Sequence, residues 1–107
     1  MEQRKSARKL LRIKATLTMD GAEPKPVNTV DVGKFGMCLV NIQQQIPMGQ
    51  HVHVAFDILF AGKVHKVNVA ARIAYCLYSE GEGHRAGLQF LDLESEAAII
   101  IAQYVGM

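Results

Sequence analysis

The chain reads as a mainly β domain: a small six-stranded antiparallel β-barrel with a C-terminal α-helix and a flexible basic N-terminal arm. Three observations predict it. Apolar residues alternate with polar ones in several short runs separated by Gly- and Pro-containing turns. The last twelve or so residues switch to helical spacing. Six of the twelve basic residues, Arg4, Lys5, Arg8, Lys9, Arg12 and Lys14, fall within the first fourteen positions, opposed there only by Glu2.

In order, residues 1–11 form the arm, 12–92 the barrel and 94–105 the helix of one domain spanning 1–107. Ile13, Ala15, Leu17 and Met19 alternate with Lys14, Thr16 and Thr18, a half-buried strand that ends in the turn-forming run Asp20 to Pro24. Val27 to Val32 is a second strand and Met37 to Asn41 a short third, closed by a loop through Pro47 and Gly49. Val52, Val54, Phe56, Ile58 and Phe60 alternate with His51, His53 and Asp57 in a long strand, and Ala61-Gly62-Lys63 makes a hairpin. Val67, Val69, Ala71, Ile73, Tyr75 and Leu77 mark one face of the next strand, which assigns Tyr75 to the core and Arg72 to the outside. Ser79 to Gly83 turns into a last strand from His84 to Leu91. Ala97, Ile100, Ile101, Tyr104 and Val105 then recur at helical spacing, with Ser95 or Asp92 as cap and Gly106 as terminator.

At 107 residues the chain holds one core. Its net charge of +2 conceals a basic arm on a slightly acidic body, so an anionic partner is expected at one end. No signal-peptide core and no apolar run of membrane-spanning length is present, which makes the cytoplasm the default. Cys38 and Cys76 lie in apolar strands without CxxC spacing and read as free buried thiols. His51 and His53 share a strand face without a third ligand, so no metal site is assigned; His65 and His84 add no recognisable spacing. No catalytic set can be assembled, and the chain reads as a binding module rather than an enzyme.

The chemistry concentrates in two segments. Arg8 and Arg12 stand four apart just ahead of the first strand, and each guanidinium can grip a phosphate or the O6/N7 edge of guanine with two bonds. Arg4 and Arg8 repeat the spacing. The turn Asp31-Val32-Gly33-Lys34-Phe35-Gly36 combines a carboxylate suited to the N1–H and N2 donors of guanine with glycines that permit positive φ and close backbone approach. Taken singly, a solvated basic tail and a self-bonded Asp turn remain open readings.

Together these segments resemble the PilZ family, bacterial receptors for cyclic di-GMP, whose signature is RxxxR before the first barrel strand followed by a (D/N)xSxxG turn. Arg8-Lys9-Leu10-Leu11-Arg12 is similar to the first element, Asp31 to Gly36 to the second, and Ala86-Gly87-Leu88-Gln89-Phe90 to the Gly-containing strand before the family's final helix. The resemblance implies that Arg8 and Arg12 engage guanine edges and phosphates, that Asp31 bonds a guanine face, and that Gly33 and Gly36 shape the turn. Arg4, Lys9, Lys34 and Arg72 are further candidate contacts. It implies no cofactor beyond the ligand cyclic di-GMP, an arm that closes on the dinucleotide, an unidentified protein effector and ligand-dependent oligomerisation. Gly33 departs from the motif serine, which removes one hydroxyl. The alternatives are a degenerate PilZ interaction module that binds no nucleotide, and a small nucleic-acid-binding barrel. The second is disfavoured by the absence of Trp and by aromatics at core-like positions.

Overall fold

The computed structural model describes residues 7–107. Seven strands and one helix follow in order: β1 (Arg8–Leu10), β2 (Lys14–Met19), β3 (Lys25–Gly33), β4 (Gly36–Ile42), β5 (His51–Phe60), β6 (Lys63–Ser79), β7 (Gly83–Phe90) and α1 (Glu96–Val105). The sheet runs β3-β2-β5-β6-β7-β4 and closes through β3–β4 pairing, so six antiparallel strands make a barrel with no open edge. This is the expected architecture.

Alternation builds the core. Leu17, Val52, Val54, Ile58, Val67, Val69, Ala71 and Ile73 point inward and are almost wholly buried, while His51, His53, Asp57 and Arg72 on the same strands face solvent. Between β5 and β6 the hairpin turns at Ala61 and Gly62, both with positive φ (53° and 75°), as a primed two-residue turn requires. Ser95 caps α1, its hydroxyl accepting from the Ala98 amide at 3.1 Å. Ala98 and Ile101 then bury against the barrel, with Ile100, Tyr104 and Val105 partly covered beside them. Asp92 instead accepts from the Glu94 amide at 3.0 Å and shapes the approach to the helix.

The additional element is β1. Within the stretch expected as an arm, Arg8, Lys9 and Leu10 pair with Gly33, Val32 and Asp31 of β3. β1 thus prolongs the line of β2 along the same edge of β3, beyond a break at residues 11–13. Thr29 fills that break: its hydroxyl donates to the Leu11 carbonyl and accepts from the Ile13 amide at 3.0 Å, while its own amide donates to the Ile13 carbonyl at 2.8 Å. A buried hydroxyl that replaces missing ladder bonds satisfies groups whose desolvation would otherwise cost about 1–3 kcal/mol each. Three mostly basic residues carry no alternation, which is why pattern alone did not reveal this strand. Arg4 and the rest of the arm up to residue 6 lie outside the described residues.

A second departure is in β6. Ile73 pairs with Leu88 but Tyr75 pairs with Gly87, so the register shifts between them and Ala74 is the extra residue. Beyond this bulge the parity reverses. Cys76 enters the core, whereas Tyr75 and Leu77, expected inside, face outward.

Candidate functional site

Cross-strand registers place Arg8, Asp31, Gly33, Gly36 and Arg72 on one outer face of the barrel. One row runs Tyr75, Gly87, Cys38, Asp31, Leu10 across β6, β7, β4, β3 and β1. Beside it run Arg72, Gln89 and Gly36, and across the β3–β4 turn Gly33 faces Arg8. The middle of the face is built from Gly33, Gly36, Cys38 and Gly87, whose small size leaves a flat floor. Polar groups stand around it.

Arg8 and Asp31 meet directly. The guanidinium Nη2 lies 2.9 Å from Asp31 Oδ1, with both side chains partly exposed. The Arg8 side chain crosses over Gly33: a Cβ at position 33 would lie 3.0 Å from Arg8 Cδ and 3.3 Å from its Nη1. Arg12 is exposed at the β1–β2 break, flanked by Leu11 and Ile13, which pack on the core and leave it facing outward. Among the described residues it makes no ion pair.

The two motif glycines serve packing rather than positive φ. Neither Gly33 nor Gly36 has a left-handed backbone. A Cβ on Gly36 would stand 2.1 Å from the Leu88 carbonyl oxygen, so Gly36 is required by the close approach of β4 to β7. The expectation that these glycines supply turn dihedrals is corrected on that ground.

The further candidates separate. Arg72 lies at the far edge of the face, its Nε and Nη2 donating to Gln89 Oε1 at 3.1 and 2.9 Å. Lys9 points away from Arg8, toward α1, where its Nζ donates to the Tyr104 carbonyl at 3.2 Å. Lys34 is exposed at the turn, 5.8 Å from the Phe35 ring centroid. It stands on the lip of an open groove of about 780 Å³ formed with Ala7, Phe35, Leu93, Ile99 and Ala102. The lining of that groove is mostly apolar and offers little to a doubly charged ligand. The charged rim of the flat face is the better match to the motif chemistry.

Tyr75 is the residue that sequence reasoning misplaced. Its ring lies over Gly87, where a Cβ would be 2.2 Å from Cε2. Burial first, then the adjacent Cys38 thiol, hold the phenol above its ordinary pKa, while Arg8 and Arg85 pull it down, so it is neutral at neutral pH. Arg85 donates to Cys38 Sγ at 3.3 Å and pairs with Glu82 at 3.4 Å. The face therefore has an aromatic ring and guanidinium groups from β1 and β7 around a floor of small residues. The bulge at Ala74 has no sequence signature of its own. An aromatic opposite a strand glycine is a recurrent pairing, however, and Gly87 was the available signal. Cys38 and Cys76 are free and buried as expected, Cys38 under this face and Cys76 in the barrel interior.

Solved structures that share the fold include two from bacteria. The Bacillus subtilis inhibitor of motility (MotI/DgrA) superposes with a TM-score of 0.80 at 10% identity, covering 98% of this chain and 50% of that one. The present chain thus spans about half the length of the Bacillus protein. The PilZ domain of YcgR from Escherichia coli, determined with c-di-GMP, superposes with a TM-score of 0.67 at 10% identity, covering 98% of this chain and 90% of that one. No match was found among curated proteins. The family model described as PilZ domain matches residues 2–106, from the arginine arm to the end of α1, and the chain therefore belongs to the PilZ domain family.

Proposed function

We propose that this domain is a bacterial cytoplasmic receptor for cyclic di-GMP, a binding module rather than an enzyme, that relays ligand occupancy to a protein effector. The observation that carries the reading is the Arg8–Asp31 pair held over Gly33 on the outer face. It presents a donor fork for phosphate and an acceptor for guanine at one place.

Energetics favour exchange of partners at this pair. A partly exposed ion pair contributes only about 0–1 kcal/mol, and a phosphate or guanine edge that accepts two guanidinium bonds at once offers more than the single 2.9 Å bond to Asp31. A ligand phosphate or guanine edge can therefore take Arg8 from Asp31 and leave the carboxylate to accept from guanine N1–H and N2. Arg12, outward and without an ion-pair partner among the described residues, closes from the other side of Leu10. Withdrawal of the Arg8 side chain from Gly33 would open the backbone there to a purine. Engagement of Arg8 and Arg12 by the ligand, with oligomerisation where two chains share it, is the signal passed on.

Calorimetric titration with cyclic di-GMP, beside GTP and a short single-stranded DNA, tests this reading. Saturable binding of the cyclic dinucleotide alone is expected, with one or two ligands per chain. Absence of binding at high micromolar ligand would replace it with a protein-interaction module, for which Gly33 in place of the motif serine is the motivating observation. Salt-sensitive binding of DNA instead would assign a nucleic-acid-binding barrel.

A further inference from the structure

β1 is bound on two faces by adjacent residues. Arg8 reaches outward to Asp31, and Lys9 reaches the opposite way to the end of α1. Lys9 Nζ donates to the Tyr104 carbonyl at 3.2 Å and sits 4.2 Å from the centroid of the same residue's ring. The last turn of α1 carries no basic residue of its own. Its terminal carbonyls and the negative end of its dipole therefore have their cation supplied from β1.

Such an anchor matters because β1 has three residues and, among the described residues, pairs only with β3. Fixing each backbone residue costs roughly 1–2 kcal/mol of conformational entropy, and a partly exposed Arg8–Asp31 pair offsets little of it. Lys9 adds a charged hydrogen bond and a cation–π contact to Tyr104, whose ring is itself packed 6.1 Å from Phe60.

We infer that Lys9 is a positioning residue: its clasp on the last turn of α1 holds β1 against β3 and thereby sets Arg8 over Gly33. The consequence for ligand affinity rests on the receptor reading above, whereas the clasp itself does not. Two measurements separate them. Backbone amide exchange by NMR reads the Leu11 amide, which donates to the Val30 carbonyl at 3.0 Å, against the Leu17 amide of β2 as control. Calorimetry reads cyclic di-GMP affinity.

Lys9→Met should speed exchange at Leu11 by roughly tenfold without moving Leu17, and weaken cyclic di-GMP binding by roughly five- to twentyfold. Lys9→Arg, which keeps the cation and its donors, should restore both. Unchanged exchange in Lys9→Met, or failure of Lys9→Arg to restore it, overturns the clasp. Faster exchange with unaltered affinity overturns its link to Arg8. If the parent protein binds no cyclic di-GMP the receptor reading fails, and the exchange pair alone decides whether Lys9 holds β1.

Discussion

Substitution at Gly33 isolates the contribution of the hydroxyl that the family motif carries and this chain lacks. A Cβ placed at this position would meet Arg8 Cδ at 3.0 Å, the Ala7 carbonyl oxygen at 3.2 Å and Arg8 Nη1 at 3.3 Å. These contacts are closer than the roughly 3.5–4.0 Å of relaxed carbon packing, so the Arg8 side chain must lift by a few tenths of an ångström. It is flexible and partly exposed, and can do so. The backbone at Gly33 is not left-handed, hence alanine or serine adds no dihedral strain. Loss of glycine's freedom in the unfolded chain favours the folded state by about 0.4–1 kcal/mol, which offsets the tight contact. Gly33→Ala and Gly33→Ser should therefore both fold, with stability within about 1 kcal/mol of the parent.

Ligand affinity then separates the two variants. Both carry the same Cβ, so their ratio reports the hydroxyl, including whatever contact it makes with Arg8. One neutral hydrogen bond contributes about 0.5–1.5 kcal/mol, which predicts cyclic di-GMP binding roughly two- to twelvefold tighter in Gly33→Ser than in Gly33→Ala. Calorimetric titration of the three proteins, with thermal melts as the folding control, measures it. Equal affinities would remove the hydroxyl from the account. Loss of binding beyond roughly a hundredfold in both variants would refute the argument that Arg8 can yield, and would make the bare glycine itself a requirement of the site.

The remaining expectations follow from the same geometry. Arg8→Ala and Arg12→Ala should each lower cyclic di-GMP affinity by roughly 10- to 150-fold, the equivalent of about 1.5–3 kcal/mol, in the same titration. Neither should shift the melting temperature much, because both side chains are at least partly exposed. Unchanged affinity in both would sink the site assignment. Gly36→Ala should instead act on stability, since its Cβ would overlap the Leu88 carbonyl oxygen at 2.1 Å and force β4 from β7. Overpacking of this kind costs about 1–3 kcal/mol, a fall of roughly 5–20 °C in Tm for a domain of this size, and a melt like the parent's would show that the strands part freely. Thr29→Val should lower urea-denaturation stability by about 2–6 kcal/mol, because it strands both the Ile13 amide and the Leu11 carbonyl at the β1–β2 break, at about 1–3 kcal/mol each. A neutral result would mean that water replaces the hydroxyl.

Much of this molecule could be read without coordinates, and the reason lies in periodicity. The alternation from Val52 to Phe60 and from Val67 to Ile73 specifies one buried face per strand, and the helical spacing from Ala97 to Val105 specifies one buried stripe. Those local rules were sufficient for the barrel and for α1. Residue type and spacing singled out Arg8 and the Asp31 turn as chemistry-bearing segments, but the ion pair between them is seen only in the fold. Other features depend on contacts between segments distant in sequence. Lys9 and Tyr104 are 95 residues apart, and nothing in β1 or α1 alone indicates that they meet. The need for glycine at position 36 comes from a carbonyl on β7, not from its own turn. Tyr75 leaves the core because of one extra residue at Ala74, and a single-residue bulge inverts every side chain beyond it. The sequence by itself determined which residues want to be buried and which chemistry is available. Closure of the sheet decided which of them share a face, because strand register and bulges are set by pairing with neighbours rather than by the strand's own residues.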